Sequence, residues 1–336
     1  MKTISEVMQE ICNCIRATPG SQKAHSLEKA VSVFSGHKRI AFSISGGSDS
    51  DTILNLWELL NPYLWGTPEV YFVFFDTGLE FEAAKRHLDY LEWRYGITID
   101  REKPRKTIPA VCREYGVPFI SKDASDHINR LQRHGLDWSD PSETATTEKY
   151  GDCKSSLDWY YCRRPKKEDG TSNFEISQYK LLREFIIANP PSFSISEKCC
   201  DFARKFPAED YNKKHDIDLV VTGMRKAEGG RRVGSIKGCF SFGNGEVNKF
   251  NPILYWSDAD KAVYKEWRNI RYSDCYEIYG LKRTGCVGCP FNSRAEQELK
   301  KAEPYEPLLV KAARNIFAKS YEYKRQYIEF KNGKKG

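Results

Sequence analysis

The run Ser45-Gly46-Gly47-Ser48-Asp49-Ser50 constrains the fold of this chain more than any other stretch. An alternating apolar segment precedes it (Ile40, Phe42, Ile44), and apolar residues at helical spacing follow it (Ile53, Leu54, Leu56, Trp57, Leu60). That order predicts a strand, a tight turn and then a helix. Adjacent glycines let the main chain curl so that successive amide N–H groups point inward. The start of a helix adds positive potential, so the loop suits an anion. It lacks the Gly-Lys-Ser/Thr ending of a Walker A loop. The plain competitor is an ordinary strand-to-helix turn with Ser or Asp as its cap. Six suitable residues in this context favour the anion cradle.

The rest of the chain supports an α/β protein. Residues 1–36 carry amphipathic helical spacing, with apolar residues at 4, 7, 8, 11 and 15 and two cysteines, Cys12 and Cys14, that read as small buried thiols. Val70 to Phe75 is a continuous apolar run, as expected of a strand covered on both faces. Helical patterns at 81–95 and near 107–115 flank a short strand at 97–99, and a final strand spans 218–223. Such βαβ alternation predicts a doubly wound, mainly parallel sheet. In such sheets ligands sit beyond the carboxyl ends of the strands, where both Ser45–Ser50 and Asp76-Thr77-Gly78 fall. Residues 121–175 are polar and charged and read as an insertion or lid without a core of its own, followed by a helix at about 174–188. The expected division is N-terminal helices over 1–37, a nucleotide-binding α/β domain over 38–255, and a helical, cysteine-bearing region over 256–336.

No stretch approaches the run of about 18 apolar residues that a membrane span needs, and the N-terminal pattern is not that of a signal peptide. A cytoplasmic protein without a membrane partner is the expectation. There, eleven cysteines point to metal, cluster or catalytic roles rather than disulfides. The formal charge of +7 and clusters such as Arg163-Arg164-Pro165-Lys166-Lys167 suit an anionic partner, a phosphorylated small molecule or a nucleic acid.

Three loops together carry a family resemblance. The first resembles the S-G-G-x-D-S loop of the N-type ATP pyrophosphatases, which grip the pyrophosphate end of ATP and cleave between its α and β phosphates. The second, Phe75-Asp76-Thr77-Gly78-Leu79-Glu80-Phe81, resembles the D-T-G-x-x-F segment of the phosphoadenosine phosphosulfate (PAPS) reductase family, which shares that fold. Asp76 at a strand end is placed to hold Mg²⁺ or hydrogen-bond a ribose, and Gly78 permits a sharp turn. The third runs from Thr222-Gly223-Met224-Arg225-Lys226 to Gly229-Gly230-Arg231-Arg232 and is similar to the family's G-x-R-x-x-E-S stretch, with Gly229 where Ser is usual. Arginine forks bind phosphate oxygens in pairs, and glycine allows close approach. Asn251-Pro252 through Asp260 looks like the family's P-L-x-x-W block, with Trp256 an apolar anchor and Ser257 a helix cap.

The cysteines add a further signal. Cys286-Val287-Gly288-Cys289, bounded by Gly285 and Pro290, is a metal knuckle, and Cys199-Cys200 offers two more thiols. Four thiolates allow Zn²⁺ or a [4Fe–4S] cluster. Adjacent cysteines reach two corners of a cube more easily than one small ion, which favours the cluster over Zn²⁺ and over free thiols. The adenosine phosphosulfate (APS) reductase branch has the same C-C followed much later by C-x-x-C, holding a [4Fe–4S] cluster. Cys275 is a rival ligand. Cys153, Cys162 and Cys239 lie near basic residues, which would lower a thiol pKa, but no motif surrounds any of them and their role stays open.

The resemblance implies an enzyme binding an adenine nucleotide, ATP with Mg²⁺ or PAPS/APS. Ser45, Gly46, Gly47, Ser48 and Ser50, with Thr77, Gly78 and Gly223, would line the nucleotide. Asp49 and Asp76 would orient Mg²⁺, and Arg225, Lys226 and Arg231 would neutralise phosphate charge. No cysteine follows Cys289, so the usual C-terminal nucleophile of sulfonucleotide reductases is missing from its place. The intact first loop points instead to ATP-dependent adenylation or sulfur transfer. Alternatives are a PAPS/APS reductase or a non-catalytic nucleotide-binding accessory protein. Candidate partners are a nucleic-acid acceptor, a sulfur or electron donor protein and a second copy of the chain.

Overall fold

A computed structural model describes residues 2–166, 168, 172, 174–229, 236–243 and 247–334. The chain divides into two compact units, Met1–Pro104 with Arg204–Gly285, and Arg105–Ala203 with Cys286–Gly336.

The first unit holds a six-stranded sheet: β1 Arg39–Ser43, β2 Glu69–Phe75, β3 Ile99–Glu102, β4 Leu219–Val221, β5 Phe240–Ser241 and β6 Asn248–Phe250. Their order is β3-β2-β1-β4-β6-β5, and every pairing is parallel except β5 with β6. The expected doubly wound α/β architecture is the one observed. From β1 the chain steps through β2 to β3, then returns to place β4 on the other side of β1. The strand order therefore reverses at β1, and the crevice past its carboxyl end is the usual ligand position. Ser45–Ser50 occupies that position.

Aromatic packing fixes β1 in the core. Phe42 lies 5.2 Å from Trp57, 5.5 Å from Phe72 and 5.7 Å from Phe34, measured between ring centroids. Full burial of such a side chain contributes about 1.5–3 kcal/mol. The helices Ile4–Cys14 and Gln22–Ser35 are capped by Thr3 and Ser21 and add Ile11, Leu27 and Phe34 to the same core. Cys12 and Cys14 pack against it, half-buried. Two features depart from the sequence reading. The third strand begins at Ile99, where the expected one ended, and β5 and β6 were not foreseen. Two- and three-residue strands, one of them Asn-Lys-Phe, carry no legible alternation.

The second unit is helical, with Ile108–Tyr115, Lys122–Arg133, Lys154–Tyr160, Leu182–Ala188, Ala295–Ala302, Pro307–Ile316 and Ala318–Gly333 as its longer helices. Its core gathers Phe119, Ile128, Leu131, Trp159, Tyr160 and Phe185. Tyr323 and Tyr327 place their rings 4.8 and 5.3 Å from Phe185. Residues 121–175 thus feed a core: their apolar residues are isolated among charges but fall on inward faces of helices. The helix expected over 174–188 is split, with a 3₁₀ turn Ile176–Gln178 followed by Leu182–Ala188. Leu181 breaks it with a φ of 58°, a left-handed value that no helix interior accepts. Among the described residues no helix is long and apolar enough to cross a membrane.

Candidate functional site

The loop after β1 is built by its own hydroxyls. Ser50 Oγ donates to the Gly47 carbonyl at 2.7 Å and lies 3.3 Å from Ser45 Oγ. The Ser45 amide donates to Ser50 Oγ at 3.2 Å, and the Gly47 amide to Ser45 Oγ at 3.3 Å. The helix Ser48–Leu60 then begins with Gly47 as its cap and no side-chain hydrogen bond at the cap. Gly46 has φ 63°, and a Cβ there would stand 2.8 Å from the Ala84 carbonyl oxygen. A Cβ on Gly47 would stand 2.7 Å from Thr284 Oγ1. Gly46 accepts no side chain, and Gly47 accepts one only if the Thr284 hydroxyl moves aside. Tyr276, whose hydroxyl accepts from the Ser48 amide at 3.3 Å, closes the loop's flank, and burial pushes its pKa up.

Charge converges on Asp49. Its Oδ1 accepts from Arg225 Nε at 2.6 Å and from Lys261 Nζ at 2.9 Å. Lys261 also donates to Ser48 Oγ at 2.7 Å. Arg225 is buried, reaches Asp258 Oδ1 at 2.9 Å and donates to the Trp256 carbonyl at 3.3 Å. Burial works against its charge, yet Asp49 and Asp258 outweigh that cost and hold its pKa above the ordinary value. Gly223 makes this closeness possible: a Cβ there would stand 2.7 Å from the Asp49 carbonyl oxygen. Arg225 and Lys261 are balanced here by Asp49 and Asp258, so the positive potential left for an anion is that of the helix start and its backbone amides.

Lys261 was absent from the sequence reading. It sits in the helix Asp258–Arg268, which opens with the capping box Ser257/Asp260, and the expected cap and the buried Trp256 are both present. One turn of that helix carries the ammonium to the loop. The signal available for it is a basic residue four positions past a helix cap, which is common on any surface.

The other expected residues have identifiable partners. Asp76 Oδ1 accepts from the Gly78 amide at 2.8 Å in a tight turn with φ 78° at Gly78, and its Oδ2 lies 3.6 Å from Lys85 Nζ. Thr77 is buried and donates to Glu80 Oε1 at 3.0 Å, and Arg204 reaches that same oxygen at 2.6 Å. The Lys226 ammonium lies 4.8 Å from the centroid of Tyr255. Arg231, with Gly230 and Arg232, lies outside the described residues.

Behind the loop lies a pair that the sequence did not suggest. Asp51, fully buried, accepts from or shares a proton with His87 Nε2 at 2.7 Å, and its Oδ1 has no hydrogen-bond partner among the described residues. Burial pushes the Asp51 carboxyl up, and His87 offsets only part of that shift.

The cysteine site belongs to the second unit. Cys199 is buried and hydrogen-bonded to Cys112 and Cys200, and it lies within electrostatic reach of Cys289. The Cys112 contact leads, with burial, in pushing the Cys199 thiol well above its ordinary pKa. The knuckle closes with the Cys289 amide donating to the Cys286 carbonyl at 3.2 Å. At Gly288, with φ 67°, a Cβ would stand 2.5 Å from the Tyr321 hydroxyl. Lys122 Nζ holds Asp201 at 2.9 Å next to Cys200. Among the described residues no group of three or more His, Cys, Asp or Glu side chains is arranged to hold a metal ion. The donor chemistry of Cys199, Cys200, Cys286 and Cys289, four thiols, is of the kind an iron–sulfur cluster takes. Cys275 lies buried in the first unit, its amide donating to Ser273 Oγ at 3.1 Å. Cys153 and Cys239 correct the sequence reading: burial outweighs Arg130 and Lys29, and both thiols are pushed up, not down.

Part of the chain is similar to known proteins. Residues 163–292 match the phosphoadenosine phosphosulfate reductase domain family. An adenosine 5'-phosphosulfate reductase of Neisseria meningitidis is 26% identical over 109 residues, 32% of this chain and 43% of that protein. The chain therefore spans less than half the length of that curated relative. Among solved structures, a PAPS reductase from Candida auris in complex with phosphate aligns with a TM-score of 0.42 at 15% identity, over 85% of this chain and 97% of that one. The U34-tRNA thiolase NcsA of Methanococcus maripaludis, with its [4Fe–4S] cluster, aligns with a TM-score of 0.38 at 12% identity, over 95% and 78%. Over residues 163–292 the chain is thus similar to the phosphoadenosine phosphosulfate reductase domain family, and over 109 residues to an adenosine 5'-phosphosulfate reductase.

Proposed function

We propose that this chain is an enzyme of the PAPS reductase family that grips the pyrophosphate of ATP in the Ser45–Ser50 loop and adenylates an acceptor for sulfur transfer. The observation that carries this reading is the loop itself, with its complete hydroxyl network and the Arg225–Asp49–Lys261 charge cluster at its helix end. An acceptor oxygen attacks the α-phosphorus, the bond to the β-phosphate oxygen breaks, and pyrophosphate leaves. A sulfur nucleophile then displaces AMP. In this scheme Gly46 and Gly47 keep the loop open to phosphate, and Ser45 and Ser50 hold its curl. Lys261 and Arg225 meet charge that grows on the leaving pyrophosphate. Fixed charges of this kind are worth about 3 kcal/mol each in a water-poor site. Asp49 positions both cations, and Mg²⁺ enters with the nucleotide, with Asp76 as a candidate carboxylate. Cys199, Cys200, Cys286 and Cys289 would hold a [4Fe–4S] cluster, which when bound supplies electron-transfer and sulfur-binding chemistry. A nucleic acid suits the basic surface as acceptor.

The domain match over residues 163–292 favours a second reading, a sulfonucleotide reductase. Anaerobically prepared protein given ATP and Mg²⁺, and separately PAPS or APS, distinguishes the two. Pyrophosphate release lost in Gly47→Ala supports the first reading. Sulfite release without pyrophosphate overturns it in favour of the second.

A further inference from the structure

Cys112 lies outside every cysteine motif of the sequence, yet the fold delivers it to the Cys199 site. It sits in the helix Ile108–Tyr115, which packs against the short helix Lys198–Cys200. That packing is pinned along its length. The Arg105 amide donates to the Phe202 carbonyl at 3.0 Å, and Tyr115 stacks on Phe202 with ring centroids 5.4 Å apart. Beyond the helix, the Val117 amide donates to the Ser194 carbonyl, and the Ser196 amide to the Val117 carbonyl, each at 3.0 Å. Gly116 allows this approach, since a Cβ there would stand 2.2 Å from the Ser194 carbonyl oxygen. Cys112 and Cys199 are both buried, so water competes little for their contact.

In the metal-free protein either thiol of this pair can donate to the other. Coordination to iron takes the proton from Cys199 and leaves its sulfur only as an acceptor. The contact then has one polarity. We propose that Cys112 donates an S–H hydrogen bond to the cluster-ligating sulfur of Cys199 and thereby raises the reduction potential of the cluster. A donor to a ligating thiolate withdraws electron density from it and favours the more negative, reduced cluster. Cys112 is on this view a positioning and tuning residue, not a fifth ligand. The inference rests on the reading of the four cysteines as a cluster site.

The test uses the full chain reconstituted anaerobically with iron and sulfide, comparing wild type, Cys112→Ala and Cys112→Ser. Iron per chain and the cluster's midpoint potential are measured, the latter by a redox titration followed by absorbance and electron paramagnetic resonance. The expected result is unchanged iron content in both variants, a more negative midpoint in Cys112→Ala and recovery toward wild type in Cys112→Ser, whose hydroxyl still donates. Loss of iron in Cys112→Ala makes the residue a ligand and overturns the proposal. Retained iron with an unchanged midpoint also overturns it. Wild type that takes up no iron overturns the cluster reading itself, a result distinct from the other two.

Discussion

Single side chains decide how closely the backbone of the first loop can approach its neighbours. Gly47 and Gly223 each face an atom 2.7 Å from where a Cβ would stand. At Gly223 that atom is a backbone oxygen that cannot swing away, so Gly223→Ala is expected to cost about 1–3 kcal/mol in chemical denaturation. Lys261→Met is expected to lower kcat for pyrophosphate release on the order of 10²-fold, the loss typical of one well-placed charge stabiliser. An effect confined to KM in a steady-state assay would make Lys261 a binding residue only. Cysteine behaviour is also local. Because burial pushes the Cys153 and Cys239 thiols up, neither is expected to react with iodoacetamide in the folded protein at neutral pH. Peptide mapping after brief alkylation checks this, and fast labelling of either contradicts it.

The helix Ser48–Leu60 links the loop to the core. Its outer end meets Arg225 and Lys261 through Asp49, and one half-turn on it buries Asp51 against His87. Burial raises the Asp51 pKa, so the folded state holds its proton to higher pH than the unfolded chain does. Stability from this group is therefore greatest at low pH. It falls as pH rises from the ordinary carboxylate range, near 4, up to the raised folded value. Asp51→Asn is expected to flatten that segment of the stability–pH curve, measured by urea unfolding at a series of pH values. An unchanged slope removes Asp51 as its source. The sequence revealed this helix by its apolar spacing and hid the pair, because an Asp and a His 36 residues apart carry no pattern. The helix Asp258–Arg268 shows the same division: its cap was legible at Ser257, its gift of Lys261 to the loop was not.

Each of the two units has a hydrophobic cluster of its own. In the second, Phe185 packs on Tyr323, Tyr327 and Phe330, with ring centroids 4.8, 5.3 and 5.6 Å away. Phe185→Ala is expected to cost about 3–5 kcal/mol, read as a shift in the urea midpoint. A loss below about 1 kcal/mol would mean that the surrounding rings collapse into the space. Segments distant in sequence meet here, since residues 119–195 supply one part of the cluster and Tyr323 and Tyr327 the other. Their scattered aromatics look polar in context and become a core only when both segments fold.

What the amino-acid sequence determined by itself was whatever depends on neighbours along the chain. That includes the strand–turn–helix around Ser45–Ser50, the parallel alternation, the glycines at forced turns and the Cys286–Cys289 knuckle, all set by local backbone sterics and side-chain periodicity. Tertiary structure decided the rest. The reversal of strand order at β1, the arrival of Lys261 at Asp49, the Asp51–His87 pair, and the contact of Cys112 with Cys199 all join residues far apart in sequence. Their energies come from burial and from charge held at fixed distance, and both exist only once the chain has closed on itself.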